Sequence, residues 1–401
     1  MAGGSPLRSR DVTYAPPPRA APPPPLSGLR VLDLATVVAG PGAARYMADF
    51  GADVLKIERP GTGDSTRTMG LPDPRDGTSA YWKVLGRNKR CATLDLKTDA
   101  GRHTLLELAA EAHVLIENFR PGTLERLGLG PDVLLERNPS LVICRVTGFG
   151  QDGPYAQRPG FATLAEAMSG FAAINGEPDG GPLLPPIALT DEVTALAAAF
   201  AIMVALRSGV GQVVDVSLIE SLLQCMGPLP AAYGMTGYLQ PRMGSGLPYS
   251  VPRGTWRCAD DRWVAVSASA ATVGVRVMEL IGLGDRDDLR TFAGRIAARN
   301  EIDARMADFC ATRGADEVVA TFEAAHAAAA RVYDMADVFA DPHVQARGTI
   351  VEADGVPMQG VVAHLSRTPG AVRWAGRPLG ADDPPRWSDA DPAARDAPDH
   401  T

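Results

Sequence analysis

The sequence is poor in the residues that build metal centres and disulfide frameworks. Its five cysteines (Cys91, Cys144, Cys225, Cys258 and Cys310) are an odd number without a Cys-x-x-Cys pair, and its six histidines include no His-x-x-x-His pair. Those absences speak against zinc, haem and small secreted disulfide scaffolds, and they fit reduced thiols in the cytoplasm. A basic excess is missing too. The 39 Lys and Arg stand against 47 Asp and Glu, a net charge of -8, so neither a nucleic-acid backbone nor an anionic membrane is signalled as a partner. No uninterrupted apolar run reaches the roughly 18 residues of a membrane span, and the N-terminus has no apolar signal-peptide core. The turn TVVAGPGAA lacks the Gly-x-Gly-x-x-Gly spacing of a dinucleotide site. No Gly-x-Ser-x-Gly elbow occurs either, and Ser169 falls inside a helical run.

What is present is a chain of 401 residues, 45% of them hydrophobic, enough for a full core and two or three domains. Residues 1–26 are rich in Pro, Ala and Gly and read as a disordered tail, and 381–401 read as a second, loose tail. Between them, LRVLDLA (29–35), DVLKIE (53–58), HVLIENF (113–119), LVICRVTGF (141–149) and QVVDVSL (212–218) are strand-like and alternate with helical stretches. Thr98 and Asp99 are candidate caps for one of those helices. This alternation predicts a doubly wound α/β domain over 27–226, with ligands at the carboxyl ends of the strands. Residues 227–250 form a Pro/Gly-rich linker. TWRCADDRWVAVSA then reads as a hairpin opening a smaller α+β domain over 251–338, helical from 271 to about 340. Residues 339–380 would return to the large domain.

Several positions can carry chemistry, each with a plain structural alternative. Gly40-Pro41-Gly42 is either a turn or an anion site at a helix N-terminus. Arg59 lies just past a strand end beside a Pro-Gly-Thr-Gly loop, where a guanidinium can pair with phosphate or simply face solvent, and the same two readings apply to RNKR (87–90), whose charges flank the next strand. Asn118 and Phe119 end a strand and suit either a ligand or a turn and the core, and Arg126 follows one helical turn later. Asp191 stands at the start of the long Ala-rich helix. It is a good helix cap, and the same geometry would keep a reactive carboxylate ionised beside exposed N–H groups.

Six ordered segments then become recognisable: LSGLRVLDLATVVAGPGAARYMADFGADVLKIERPGTGDSTR, GRNKRCATLDLKT, IENFRPGTLERLGLG, TGFGQDGPYAQRPGF, the stretch from ALTDEV to AIMVALRS, and GVGQVVDVSLIES. In this order and spacing the chain resembles the class III CoA-transferase family, which also contains the α-methylacyl-CoA racemases. The resemblance implies a Rossmann-like large domain built from both termini and a smaller α+β domain, in a ring-shaped chain that interlocks with a second copy as a homodimer. It implies coenzyme A as part of the acyl-CoA substrate, no metal, an acyl-CoA donor and a carboxylic acid acceptor. Arg59 and Arg126 would bind CoA phosphates, Val37, Val38 and Ala39 would line the site, and Leu94, Asn118 and Phe119 would surround nucleotide and pantetheine. Asp191 would be the catalytic nucleophile.

Departures narrow the expectation. Val38 stands where formyl-CoA transferase has glutamine, and no glycine-only loop occurs in 240–262, which speaks against formyl-CoA and oxalate. The racemases' RPGHD segment reads RPGFA here, with Phe161 and Ala162. Two-base proton exchange at an α-carbon therefore lacks its histidine. The leading expectation is an acyl-CoA:carboxylate CoA-transferase, resembling members acting on succinyl-CoA or branched dicarboxylic acids. The alternatives are a racemase or epimerase and a catalytically silent CoA-binding member.

Overall fold

The computed structural model describes residues 22–268 and 270–387. The two expected tails therefore lie largely outside the described residues. Where their inner ends are described, they are packed. Leu26 donates its backbone N–H to the Phe50 carbonyl at 3.0 Å and packs against the core. Residues 381–387, expected to be loose, instead run along a sheet edge. Asp382 and Asp383 accept the backbone N–H groups of Cys91 and Thr93, and the buried Trp387 indole donates to the Leu108 carbonyl. An unpaired strand edge needs cover. Composition hid this, because two carboxylates and one tryptophan do the pairing.

The large domain holds six parallel strands: β1 (Arg30–Asp33), β2 (Asp53–Glu58), β3 (Arg90–Thr93), β4 (Val114–Glu117), β5 (Val142–Thr147) and β6 (Gln212–Ser217). Their order is β3-β2-β1-β4-β5-β6. The order reverses between β1 and β4, and in such sheets the crevice outside the carboxyl ends of the strands at that reversal is where ligands bind. β2 and β4 are buried at every position, as expected for strands covered on both faces. Thr98 caps the helix Asp99–Glu111 by accepting from the Gly101 N–H, while Asp99 pairs with Arg102.

One helix differs from expectation. Gly40-Pro41-Gly42 is not the turn but the first turn of the helix Ala39–Asp49, where a proline is tolerated because its N–H would have no partner. The glycines serve packing. A Cβ on Gly40 would sit 2.4 Å from the Ala35 Cβ, and one on Gly42 would sit 2.8 Å from the Ala195 Cβ. Gly42 thereby lets this helix lie directly on the helix Leu189–Ser208, which carries Asp191. Gly42→Ala is expected to cost about 1–3 kcal/mol of overpacking. Helix propensity offsets at most about 1 kcal/mol of that. Urea denaturation measures the loss, and kcat should fall with it, since a shift near 1 Å at a reacting group costs about 10²-fold.

The helix Leu189–Ser208 is, by length and composition, apolar enough to cross a membrane. In this fold it packs against Ala39–Asp49 through Ala195, Ala198 and Ile202 and leaves Phe200, Met203 and Val204 exposed.

Past residue 250 the expected hairpin forms as β7 (Arg253–Arg257) and β8 (Trp263–Ser267), with Asp261 left-handed in its turn. A third strand, β9 (Ala328–Arg331), pairs with β8. The sequence reads helical there because it is alanine-rich, but pairing with the open edge of β8 overrides local preference. β10 (Ile350–Ala353) and β11 (Val356–Gln359) form a separate hairpin. Its buried Met358 packs with Val84 and Ala375 of the large domain. Residues 371–376 bond to Asp49, Lys83 and Asn88, so the chain's last described stretch completes the large domain.

Candidate active site

The turn after β1 is where the structure spends strain. Val37 adopts φ 67°, which a β-branched residue does only when its surroundings force it. Two side chains do so. Asp64 accepts the Val37 N–H at 3.3 Å, and Asn118, just past β4, accepts the Thr36 N–H at 2.7 Å while donating to the Thr36 carbonyl at 2.6 Å. The chain then turns inward, so Val38 and Ala39 are buried.

Beneath this turn lies a buried charge cluster, in which Lys89 of the RNKR stretch meets carboxylates and not a phosphate or solvent. Lys89 Nζ lies 2.8 Å and Lys56 Nζ 3.5 Å from the Asp33 carboxylate, and Lys56 is 3.3 Å from Asp64. Lys56 also donates to the Ala35 carbonyl, and Lys89 to the Pro41 carbonyl at 2.7 Å. Burial alone would lower the Lys56 ammonium, but Asp33, Asp64 and Glu58 around it raise it above its ordinary value. For Lys89, burial wins over Asp33 and lowers it. Lys56 stands among apolar residues inside β2, whereas Lys89, just before β3, belongs to the basic stretch RNKR (87–90).

A second cluster holds the turn after β4. Glu117 accepts from Arg145 Nε at 2.7 Å and from the Phe119 N–H at 2.7 Å. Arg145 also reaches Glu125 at 2.8 Å, which fixes the short helix Thr123–Arg126. Burial raises Glu117 in spite of Arg145.

These two clusters frame a cavity of about 520 Å³ at the carboxyl ends of β1, β2, β3 and β4, within the range of small-ligand sites. Arg59, Leu94 and Phe119 line it, together with Thr36, Lys56 and Lys97. Lys97, on the loop after β3, had not been singled out from the sequence. Asn118 sits at the edge as the clasp on Thr36, and Arg126 is exposed beside the lining residues Thr123 and Leu127, donating to Thr123 Oγ1 at 2.9 Å. Val37, Val38 and Ala39, expected to line the site, do not line this cavity, because the left-handed Val37 sends the chain inward.

Asp191 does not line it either. It is the third residue of the helix Leu189–Ser208, whose N-cap is Ala188 with no side-chain cap. Capping is therefore not its role. Its carboxylate accepts no hydrogen bond among the described residues, and its environment is acidic. Burial first, then the charges of Glu166 and Glu192, push it from its ordinary 3.8 up to about 6. Burial and like charge outweigh a helix-end contribution of about 1 kcal/mol, so the carboxylate stays ionised at neutral pH, as expected, but binds its proton more tightly than an ordinary aspartate. Glu192 is tied to the helix Ala39–Asp49 by Arg45 at 3.1 Å and Tyr46 at 3.0 Å. Asp191 also helps raise the Tyr81 phenol, after burial. At neutral pH such a carboxylate is mostly ionised yet unusually basic, which suits a nucleophile.

A parallel sheet whose order reverses between β1 and β4, with a cavity at the carboxyl ends of its strands lined by Lys56, Arg59 and Lys97 and by Glu58, Asp64 and Asp95, is the layout of a ligand-binding α/β protein. The family model for CoA-transferase family III matches residues 26–383, and the chain belongs to that family; it is a CoA-transferase. It is 40% identical to a succinyl-CoA–L-malate CoA-transferase beta subunit from Chloroflexus aurantiacus, over 89% of this chain and 91% of that one. It is 35% identical to a succinate–glutarate CoA-transferase from Agrobacterium fabrum, over 86% and 90%. Among solved structures, a CaiB/BaiF family protein from Brucella suis superposes with a TM-score of 0.80 at 32% identity, covering 90% of this chain and 97% of that one.

Proposed function

We propose that the chain transfers coenzyme A from succinyl-CoA to a carboxylic acid through covalent intermediates on Asp191. The observation that carries the reading is Asp191 itself, a half-buried carboxylate without a hydrogen-bond partner among the described residues, raised to about 6, at a helix start. The name of the similar Chloroflexus enzyme supports succinyl-CoA as donor.

In this reading an Asp191 oxygen attacks the thioester carbonyl, the C–S bond breaks, and CoA thiolate leaves an aspartyl-acyl anhydride. The thiolate then attacks the aspartyl carbonyl and expels the donor carboxylate, giving an aspartyl-CoA thioester. The acceptor carboxylate attacks that thioester and expels the thiolate. The thiolate returns to the acceptor's acyl carbon, forming product acyl-CoA and releasing Asp191 as a carboxylate. Electrons balance without an oxidant, and in this reading the remaining N–H groups at the helix start, those of Thr190 and Asp191, stabilise each oxyanion.

The 520 Å³ cavity would take the nucleotide end of CoA, with Arg59, Lys97 and Arg126 at phosphates and Leu94, Asn118 and Phe119 around base and pantetheine. Arg59→Ala is expected to raise KM for acyl-CoA about tenfold or more, as the loss of one charge-assisted contact of about 1.5–3 kcal/mol does. Because Arg59 lies away from the reacting carbonyl, kcat should stay within about twofold.

A homodimer belongs to the same reading. The helix Leu229–Thr236 is apolar yet buries no residue, and Phe200, Met235 and Leu239 are each more than 70% exposed. Such surface calls for a protein partner, and a second copy interlocked with the first would cover it. Racemisation has less support. Phe161, in the racemases' histidine position, is an exposed apolar side chain. The discriminating experiment incubates the protein with succinyl-CoA and labelled dicarboxylic acids in D₂O. Label moving into acyl-CoA without α-deuterium supports transfer, and α-deuterium without CoA exchange overturns it.

A further inference from the structure

Next to the Asp191 helix lies a carboxylate that the reaction as written does not use. Glu166, on the helix Ala162–Met168, is only 4% exposed. Its Oε1 accepts from the Thr190 hydroxyl at 2.9 Å, and Thr190, fully buried, is the residue before Asp191. Thr194 closes the motif one turn on, donating its hydroxyl to the Thr190 carbonyl at 2.7 Å. Two buried hydroxyls thus tie a buried acid to the turn that aims Asp191. Burying a carboxylate for one neutral hydrogen bond is unfavourable, and an apolar residue there would give a more stable fold. Such local conflict between stability and sequence is expected where function requires it.

We propose, on the reading that Asp191 is the nucleophile, that Glu166 is its positioning residue. It fixes the Asp191 turn through Thr190, and its negative charge makes Asp191 more basic. The groups that face Asp191 are few. Glu192 lies on its own helix and is tied to Arg45 and Tyr46 of Ala39–Asp49. Tyr81 approaches from the helix Ala80–Leu85, and Glu166 comes from Ala162–Met168. With Arg45 engaged by Glu192, Glu166 is the acid free to act on Asp191 from across the packing. Its effect runs opposite to that of an ordinary ion pair. A carboxylate beside another holds the second proton more tightly and makes it the stronger nucleophile once ionised.

The test compares pH profiles of kcat/KM for wild type, Glu166→Gln and Asp191→Asn. Glutamine keeps an acceptor for Thr190 but removes the charge. The acid limb, near pH 6 in wild type, should then move down by about half a pH unit or more, with kcat at neutral pH falling several-fold and KM little changed. An unmoved limb in Glu166→Gln overturns the proposal while leaving the nucleophile intact. An active Asp191→Asn enzyme overturns the underlying reading instead. Should Glu166→Gln fail to fold, Thr190→Ser and Thr190→Val decide the positioning role. Serine, which keeps the hydroxyl, should retain kcat, valine should lose about tenfold or more, and equal activity in the two overturns it.

Discussion

Asp191→Asn is expected to lower kcat at least about 10³-fold, because it removes the nucleophile and not merely a binding contact. The same change should make the protein more stable near pH 7.5. The sign follows from linkage. The folded-state value of Asp191, about 6, lies above its ordinary 3.8, so the native state favours the protonated form. The associated stability is fully present below about pH 4 and is lost as pH rises through about 6. Above that range the ionised side chain costs the native state about 2–3 kcal/mol after allowance for partial exposure. Asparagine carries no charge. Its thermal midpoint should exceed wild type by a few degrees at pH 7.5, and the gap should close toward pH 4. Wild-type kcat/KM should fall about tenfold per pH unit below pH 6 as Asp191 protonates. An inactive variant that is also less stable at pH 7.5 would contradict the strained-carboxylate account.

The second large effect lies under the β1 turn. Asp33→Ala should cost about 3–5 kcal/mol, the loss seen when one member of a buried ionic cluster is removed. Lys56 would keep Asp64 at 3.3 Å, but Lys89 would be left with a single carbonyl, Pro41 at 2.7 Å. Against a typical total of about 5–15 kcal/mol, that loss is a large fraction, and the urea midpoint should fall accordingly. Adding Lys89→Met should recover most of it, because the orphaned ammonium, not the missing carboxylate, carries the cost. A single-variant loss below about 1 kcal/mol would show that the cluster does not hold the turn. The cluster also touches the turn through Asp64, which accepts the Val37 N–H and lines the cavity.

Much of this architecture was legible because β1, β2, β4, β5 and β6 carry Val, Ile and Leu clusters separated by helical stretches, a spacing that favours a doubly wound sheet. Arg59 and Phe119 could be named because each stands at the end of an apolar strand, whereas Leu94 came from the family resemblance alone. What the sequence hid are effects of tertiary contact. The alanines of β9 have no strand preference until β8 offers an edge, and Asp382, Asp383 and Trp387 look like a tail until β3 does. Gly40 and Gly42 look like a turn until Ala35 and Ala195 press on them. Asp191 looks like a cap, and only burial beside Glu166 and Glu192 shows it as a basic carboxylate. Lys56 and Lys97 are not legible because a lone lysine in sequence says nothing about which carboxylate or cavity its ammonium meets, and the RNKR stretch does not show that Lys89 turns inward to Asp33.

The central claim is that a covalent aspartyl intermediate forms on Asp191. Its most direct measurement is to mix the protein with succinyl-CoA, quench with hydroxylamine or borohydride, and locate the modified residue by peptide mass spectrometry. Asp191 should appear as the hydroxamate or the reduced alcohol, only when acyl-CoA is present, and not in Asp191→Asn. Modification at another carboxylate, or full transfer by Asp191→Asn with no labelled residue, would contradict it.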